Sequence, residues 1–225
     1  MTERFLQLPH SILGTRPRTN FARRAVAIGT RAHLSVYHRL RIDGRENLPA
    51  AGPIVLVANH ASHADIVCLL ATLPLSRLDH AYAVVKSDYF GAGFPRFAMA
   101  ALMIRGVPFP RSVHRHSLAH CRSLLTNPNA VLVWFAEGTR SRTGQLAPFR
   151  DGIGALVAGT NTAVVPCALR GSFQAWPKGQ PLPWPKPISL RIGLPRRYPY
   201  LPATRDTYHT IAADLHHTVR ALLCS

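Results

Sequence analysis

With 225 residues, 47% of them hydrophobic, the chain is long enough for one well-packed domain and short for two, and its composition excludes a disordered protein. Its 27 Lys and Arg residues outnumber its 10 Asp and Glu residues, which gives a formal charge of +17. A charge of this size indicates an anionic partner, such as nucleic acid, an acidic membrane surface, an acidic carrier protein or a phosphorylated substrate.

The sequence gives no indication of export or of a membrane-spanning segment. No apolar run reaches the ~20 residues that a spanning helix needs, and the apolar stretch 25–29 is too short for the core of an export signal. The cysteines form no CxxC pair, so we expect reduced thiols in a cytosolic protein rather than a disulfide framework or a zinc site. They are Cys68, Cys121, Cys167 and Cys224.

Residues 21–40 predict an amphipathic helix near the start of the chain. Arg24, Arg31 and His38 lie on one face at steps of seven, and nine arginines fall within the first 45 residues. The apolar face comprises Phe21, Ala25, Ile28, Ala32, Val36 and Leu40. Such a helix can lie in an anionic membrane interface, or it can be an ordinary surface helix packed on the domain. We therefore divide the chain into a basic amphipathic segment, 1–40, which is a candidate for membrane docking, and a domain, 41–225.

Residues 41–48 predict a strand end and a turn, and from residue 50 onward short apolar runs alternate with helical periodicities. The predicted strands are 53–58, 80–86, 102–109, 130–135, 163–169 and 188–193. The predicted helices are 65–73, 89–101, 113–125, 152–159 and 206–223, and a loop rich in Pro and Trp covers 171–187. This alternation predicts an α/β fold, a single domain in which helices flank a mixed β-sheet, preceded by the amphipathic segment.

The first motif, Asn-His-Ala-Ser-His-Ala-Asp at 59–65, joins the first buried strand to the helix that follows it. A histidine just beyond a strand end lies where open α/β sheets place their sites. The imidazole of His60 could take a proton from a hydroxyl, while Asp65 binds its other ring nitrogen.

Two other interpretations of this motif stay open on the residues alone. The Ser62-x-x-Asp65 spacing also fits the start signal of a helix. Alternatively, His60, His63 and Asp65 could bind a metal ion. Three further histidines could join such a metal site, namely His114, His116 and His120.

The second motif, Phe-Ala-Glu-Gly-Thr-Arg-Ser at 135–141, directly follows the central strand. Gly138 permits a tight turn, while Thr139 and Arg140 can bind oxyanions. Glu137 would either pair with an arginine or accept a hydrogen bond from a substrate hydroxyl. Taken alone, the segment could also be a surface turn with a Glu–Arg ion pair.

Together the two motifs resemble those of the glycerolipid acyltransferase family, which includes the 1-acylglycerol-3-phosphate acyltransferases. The NHxSxxD block is matched by Asn59, His60, Ser62 and Asp65, and the FPEGTRS block by residues 135–141, with Ala136 in place of proline. A further block keeps Arg111 but has Pro110 in place of its acid, and an apolar-proline block is met at Pro166. The resemblance covers roughly residues 40–200.

The resemblance implies that His60 deprotonates the acceptor hydroxyl and that Asp65 orients His60, with no covalent acyl-enzyme and no role for His63. It implies that Pro166 shapes the acyl-donor site and that a further set of residues binds the phosphate of the acceptor. This set comprises Arg111, Glu137, Gly138, Thr139 and Arg140. No metal or cofactor is implied, because acyl-CoA or acyl carrier protein enters as a co-substrate.

The expected reaction is acylation of a lysophospholipid, with 1-acylglycerol 3-phosphate giving phosphatidate. The alternatives are another acceptor (glycerol 3-phosphate, another lysophospholipid or an aminolipid) and a non-catalytic membrane lipid-binding protein. The resemblance also favours a cytoplasmic protein bound peripherally to the inner face of the cytoplasmic membrane. Nucleic-acid binding is disfavoured, because the sequence lacks the aromatic, zinc-finger and basic-zipper patterns of such proteins.

Overall fold

An eight-stranded sheet forms the centre of the computed structural model, which describes residues 17–86, 105–109 and 115–225. Its strands are β1 (Arg41–Asp43), β2 (Ile54–Ala58), β3 (Ala81–Lys86), β4 (Arg105–Phe109), β5 (Val131–Trp134), β6 (Thr160–Arg170), β7 (Ser189–Ile192) and β8 (Arg196–Tyr198). The strand order is β1-β7-β6-β2-β5-β3-β4, and β8 pairs with β6. The sheet is mixed, since β6, β2, β5, β3 and β4 are mutually parallel, whereas β7 and β8 run antiparallel to β6.

Helices cover both faces of this sheet, so the predicted α/β class is confirmed. They are α1 (Pro17–Tyr37), α2 (Asp65–Ala71), α3 (Leu75–Leu78), α4 (Arg115–Leu124), α5 (Gly152–Val157), α6 (Ser172–Ala175) and α7 (Arg205–Cys224), with a 3₁₀ turn at Arg45–Asn47. The predicted strands and helices that fall on described residues are all present, with ends shifted by a few residues. The predicted helix 89–101 lies outside the described residues, and the short elements β8, α3 and α6 were not predicted.

The central strands are apolar throughout because both of their faces are covered. In β2, Leu56 packs on the side of α1 and α2, while Val55 and Val57 pack on the side of α4, α5 and α7. Adjacent β5 is parallel to β2, with Leu56 opposite Val133.

The chain leaves these two neighbouring strands toward opposite faces. After β2 it enters α2 on one face, and after β5 it enters α5 on the other. Diverging connections open a crevice at the carboxyl ends of the two strands, which is where parallel α/β sheets hold their ligands. Both sequence motifs follow these strand ends.

Helix α1 confirms the predicted helix but turns a different face to the domain. It packs on α2 through a side that includes Ala27 and Leu34, both buried. Most of the predicted apolar stripe is exposed, with Val36 keeping 80% of its surface, but its last residue, Leu40, packs against the core. The helix thus packs on the domain as an ordinary surface helix would, and its membrane docking stays a prediction. Treating 1–40 as a segment separate from 41–225 remains a prediction.

Within the described residues, no helix is long and apolar enough to cross a membrane.

Candidate active site

His60 and Asp65 form a hydrogen-bonded pair just beyond the end of β2. The Nδ1–H of His60 donates to Oδ2 of Asp65 at 2.9 Å, and the same oxygen accepts the backbone N–H groups of Ala61 and Ser62 at 2.7 Å each. Asp65 is the first residue of α2 and is fully buried. An oxygen surrounded by three N–H donors fixes the imidazole as the tautomer with its proton on Nδ1. Asp65 therefore orients His60 and also ties the turn that starts the helix.

The ring of His60 lies flat against Phe135, the first residue after β5. Their centroids are 3.8 Å apart and the planes differ by 13°. With one ring face on Phe135 and Nδ1 bonded to Asp65, Nε2 is the atom that can accept a proton. The His60 side chain is 19% exposed, so part of the ring is open to solvent beyond the end of β2. This is the geometry of a general base.

Glu137 connects the two motifs through their backbones. Its Oε1 accepts the N–H of His60 at 2.7 Å, and its Oε2 accepts the N–H of Ala147 at 2.9 Å. In return, the N–H of Ser141 donates to the carbonyl of His60 at 2.7 Å. The structure thus gives Glu137 a role that neither sequence interpretation included, which is to hold the His60 loop in register with the loop after β5.

The Glu137 carboxyl is only 3% exposed. Burial raises its pKa from an ordinary 4.5 to about 7, and the nearby carboxylate of Asp65 adds to the rise. The two backbone N–H bonds oppose the rise because they stabilise the charged form. The proposed role of Glu137 in binding substrate stays a prediction.

Gly138 provides the tight turn that the sequence predicted. Its φ is +74°, in the left-handed region, and its N–H donates to the carbonyl of Phe135 at 3.0 Å. The left-handed φ is what requires glycine here, because the atom nearest to a Cβ would be Nε of the flexible Arg150 side chain, which can move away.

Beyond this turn lies a cleft of about 440 Å³. Three cationic side chains line it, those of Arg140, Arg142 and Lys178, and no carboxylate is among its lining residues. The hydroxyls of Thr139, Ser141 and Thr143 also line it. Guanidinium, ammonium and hydroxyl donors in one cleft suit a phosphate group.

His63 makes structural contacts that were not predicted from the sequence, and the expectation that it has no catalytic role stays a prediction. The guanidinium of Arg140 donates to its Nε2, and its ring lies 5.1 Å from that of Trp176. His63 thus links the first motif to the wall of the cationic cleft.

Asn59 has a structural role that the sequence analysis missed. Its Nδ2 donates to the carbonyl of Leu169 at 2.9 Å, and its Oδ1 accepts the N–H of Leu169 at 2.8 Å. The amide continues the pairing of β2 with β6 past the last residue of β2, which fixes the direction of the turn into His60. The signal available in the sequence was an asparagine immediately after a buried strand.

Some predicted site residues are not brought to this edge by the described structure. Arg111 and His114 lie outside the described residues. Pro166 lies inside β6, opposite Val57, and its ring packs close to Gly193. Its role toward an acyl donor therefore stays a prediction. Across the described ranges, no group of three or more His, Cys, Asp or Glu side chains is arranged to hold a metal ion.

Known proteins share the segment of this chain that holds both motifs. A protein-family model described as acyltransferase matches residues 39–170, which include both motifs. The chloroplastic 1-acyl-sn-glycerol-3-phosphate acyltransferase LPAT1 of Arabidopsis thaliana is 35% identical over 155 residues, which are 66% of this chain and 41% of that protein. The chloroplastic BAT2 protein of Brassica napus, with the same enzyme name, is also 35% identical over 155 residues, covering 66% of this chain and 42% of its own. The match thus spans about two fifths of the length of each relative.

A solved structure supports the same architecture. The 1-acyl-sn-glycerophosphate acyltransferase PlsC of Thermotoga maritima superimposes with a TM-score of 0.70, at 22% sequence identity, over 95% of this chain and 85% of its own. At that identity the similarity establishes a shared fold, a mixed sheet flanked by helices.

Proposed function

The chain belongs to the acyltransferase family, and on that premise we propose that it transfers a fatty acyl group from a thioester to the free hydroxyl of a lysophospholipid. The proposed donor is acyl-CoA or acyl carrier protein. The proposed acceptor is 1-acylglycerol 3-phosphate, which would become phosphatidate. The observation that carries the proposal is the His60–Asp65 pair beside a cleft lined by Arg140, Arg142 and Lys178.

In the proposed reaction, Nε2 of His60 takes the proton of the acceptor hydroxyl as the oxygen attacks the thioester carbonyl. The tetrahedral intermediate then expels the thiolate, and the imidazolium of His60 returns the proton to it. An ester and a free thiol result, so atoms and charge balance. Asp65 stabilises the imidazolium through the bond at Nδ1, and general-base catalysis of this kind contributes ~10²–10⁴-fold in rate.

The cysteines support direct transfer without an acyl-enzyme. Cys68, Cys121 and Cys167 are buried, and burial raises the pKa of each thiol. A buried thiol with a raised pKa is a poor nucleophile. Cys224 is exposed, but it is the last residue of α7 rather than part of the His60 edge.

The cationic cleft is the proposed site for the phosphate of the acceptor. The hydrogen bonds from Ser141 to His60 and from Arg140 to His63 make the cleft wall continuous with the His60 loop. A phosphate held there would bring a nearby hydroxyl of the same molecule toward Nε2 of His60. On this proposal we expect the protein to prefer acceptors that carry a phosphate and to acylate a neutral acceptor poorly.

We further propose that the protein meets its acceptor at a membrane surface and docks there peripherally through α1. The outward apolar stripe of α1, with Ile28 and Val36 exposed, supports this proposal. Basic residues flank the stripe, so binding should favour anionic over neutral vesicles.

A matrix of donors and acceptors tests the proposed function. Purified protein would be assayed for thiol release with acyl-CoA and acyl carrier protein against lysophosphatidate, glycerol 3-phosphate, lysophosphatidylcholine and a lysolipid without phosphate. We expect thiol release coupled to ester formation, highest with lysophosphatidate. Ester formation on another acceptor would replace the proposed acceptor, and vesicle binding without any thiol release would indicate a non-catalytic lipid-binding protein.

A further inference from the structure

The predicted loop rich in Pro and Trp, residues 171–187, lies with the adjoining Ile188 at the same sheet edge as His60, and we refer to residues 171–188 together as this loop. The hydroxyl of Ser62 donates to the carbonyl of Trp176 at 2.8 Å, and Ser62 forms an isolated bridge with Pro177. Farther along, the N–H of Trp184 donates to the carbonyl of Ala175 at 2.8 Å. These bonds fold the loop back beside the first motif, so it forms a rim of the candidate active site.

This loop exposes large apolar side chains. Leu182 is 73% exposed and Trp184 is 60% exposed. The hydroxyl of Tyr37 donates to the carbonyl of Pro183 at 3.0 Å, which fastens the loop to the end of α1 beside Val36. We call the group of Val36, Leu182 and Trp184 the rim surface.

The charge around the rim surface selects one kind of partner. Residues 171–188 contain two lysines, Lys178 and Lys186, and no Asp or Glu. Residues 17–40 contain five arginines and likewise no Asp or Glu, although Arg23 is buried, Arg24 pairs with Asp79 and Arg31 bonds to the carbonyl of Leu73. Another of them, Arg39, donates to the carbonyl of Pro185 at 3.2 Å and so lies against the loop. Exposed apolar side chains amid cations, without carboxylates in either segment, complement an anionic bilayer.

We propose that the 171–188 loop is an interfacial anchor, in which the rim surface enters the head-group region of an anionic phospholipid bilayer. Tryptophan suits this depth because its ring is apolar and its indole N–H still finds hydrogen-bond partners. Lys186 and Arg39 contact lipid phosphates, while Lys178 stays in the cationic cleft. The anchor holds the cleft beside His60 against the membrane surface. This inference deepens the proposed function, since it names the surface on which the acceptor is met.

The opposite edge of the sheet supplies a matched control. Tyr200 follows β8, whose Tyr198 pairs with Thr160, the first residue of β6. The first residue of β6 lies at the amino edge of the parallel strands, away from His60. Tyr200 is 96% exposed, so it offers an aromatic position of similar exposure that the proposal keeps out of the bilayer.

The fluorescence of Trp184 tests directly whether this side chain enters the bilayer. Emission of the wild-type protein minus that of W184F isolates Trp184 from Trp134 and Trp176. With vesicles containing phosphatidylglycerol, we expect a blue shift and quenching by lipids brominated on the acyl chain. A tryptophan at the opposite edge, in the double variant W184F/Y200W, should show neither. Unshifted Trp184 emission while the protein sediments with vesicles, or no vesicle binding at all, overturns the proposal.

Variants that carry two new glutamates test how much the rim surface contributes to membrane binding. L182E/W184E should weaken partitioning into anionic vesicles by about tenfold or more, because it replaces two apolar side chains that would enter the bilayer with carboxylates that anionic lipids repel. Y200E/L201E should partition like the wild type, because both exposed residues lie near Gly159 and Thr160 at the opposite edge. Equal partitioning of L182E/W184E and wild type overturns the anchor.

Other occupants of the rim surface give distinct results. A Trp184 shift that grows with protein concentration without vesicles assigns the surface to a second copy of the chain, and a shift with acyl carrier protein alone assigns it to that partner. Each would replace the bilayer proposal. Neither Trp184 fluorescence nor vesicle partitioning needs catalytic turnover, so a failure of the anchor proposal can be told apart from a failure of the proposed acyl transfer. With a water-soluble short-chain acceptor, L182E/W184E should retain wild-type turnover.

Discussion

The imidazole of His60 and the carboxylate of Asp65 share one hydrogen bond of 2.9 Å, in which Nδ1–H donates to an oxygen that two backbone N–H groups also bind. The oxygen that orients the base is therefore itself held in place by the turn. The orientation of the His60 ring and the ring nitrogen that carries its proton therefore both depend on Oδ2 of Asp65.

We predict that D65N lowers kcat for acyl transfer by at least about a hundredfold with little change in the acceptor KM. The asparagine amide group can donate to Nδ1 and so favour the tautomer whose Nε2 is already protonated. Steady-state kinetics checks this, with circular dichroism to confirm folding. The matched control is D151N, because Asp151 pairs with His209 at 3.2 Å in an exposed His–Asp contact that the proposed mechanism does not use. Equal losses in both variants would remove the assigned role of Asp65.

The amide of Asn59 is predicted to be a stability determinant rather than a catalytic group. N59A should lower the free energy of unfolding by about 2–4 kcal/mol, because it leaves the N–H and carbonyl of Leu169 without their buried partners. Urea denaturation measures the change. N47A is the control, since Asn47 makes a single partly buried bond to the carbonyl of Ile192 and should cost about 1 kcal/mol. A smaller loss for N59A than for N47A contradicts the assignment.

Glu137 should give the protein a stability that depends on pH. Its folded-state pKa is raised from 4.5 to about 7, so the folded protein binds this proton more tightly than the unfolded chain. The resulting stabilisation is fully present below pH 4.5 and is lost as the pH rises through about 7. We expect the free energy of unfolding of the wild type, relative to E137Q, to fall by about 3 kcal/mol across that window.

Chemical denaturation at several pH values checks the Glu137 prediction. E46Q is the control because Glu46 is exposed, and it should keep the wild-type slope. A wild-type profile parallel to that of E137Q would show that Glu137 does not hold its proton as the buried geometry requires.

The cationic cleft predicts a selective loss of acceptor binding. R142Q/K178Q should raise the KM for a phosphate-bearing acceptor by about tenfold or more and leave the donor KM nearly unchanged, because charge-assisted bonds to phosphate are lost. R197Q is the control, since Arg197 bonds to Asn161 near the start of β6, away from the cleft. Kinetics with acceptor and donor varied separately provides the measurement. An equal rise in both KM values would move the phosphate site elsewhere.

The local parts of this site were predictable from sequence. Asp65 lies five residues from His60, so the chain between them limits the possible geometry, and the tight turn at Gly138 follows from its position after an apolar strand. The positions of the central strands could also be predicted from the sequence, because continuous apolar runs identify strands that are buried on both faces.

The non-local parts were not predictable. Asn59 and Leu169 lie 110 residues apart, and Glu137 reaches His60 across 77 residues, so no local pattern reports either contact. Helix α1 shows the same limit, because periodicity found its apolar stripe but not which face would meet α2. The face of Ala27 and Leu34 packs inward, which leaves Val36 exposed.

The central claim is that His60 is the general base of an acyl transfer, and comparing two histidine variants tests it most directly. H60A and H209A each remove a histidine that is hydrogen-bonded to an aspartate, but only His60 lies at the carboxyl edge of β2. We predict that kcat/KM for thioester-dependent acylation of lysophosphatidate falls by at least about a hundredfold in H60A and by less than about twofold in H209A. Retention by folded H60A of activity within about tenfold of the wild type would contradict the account.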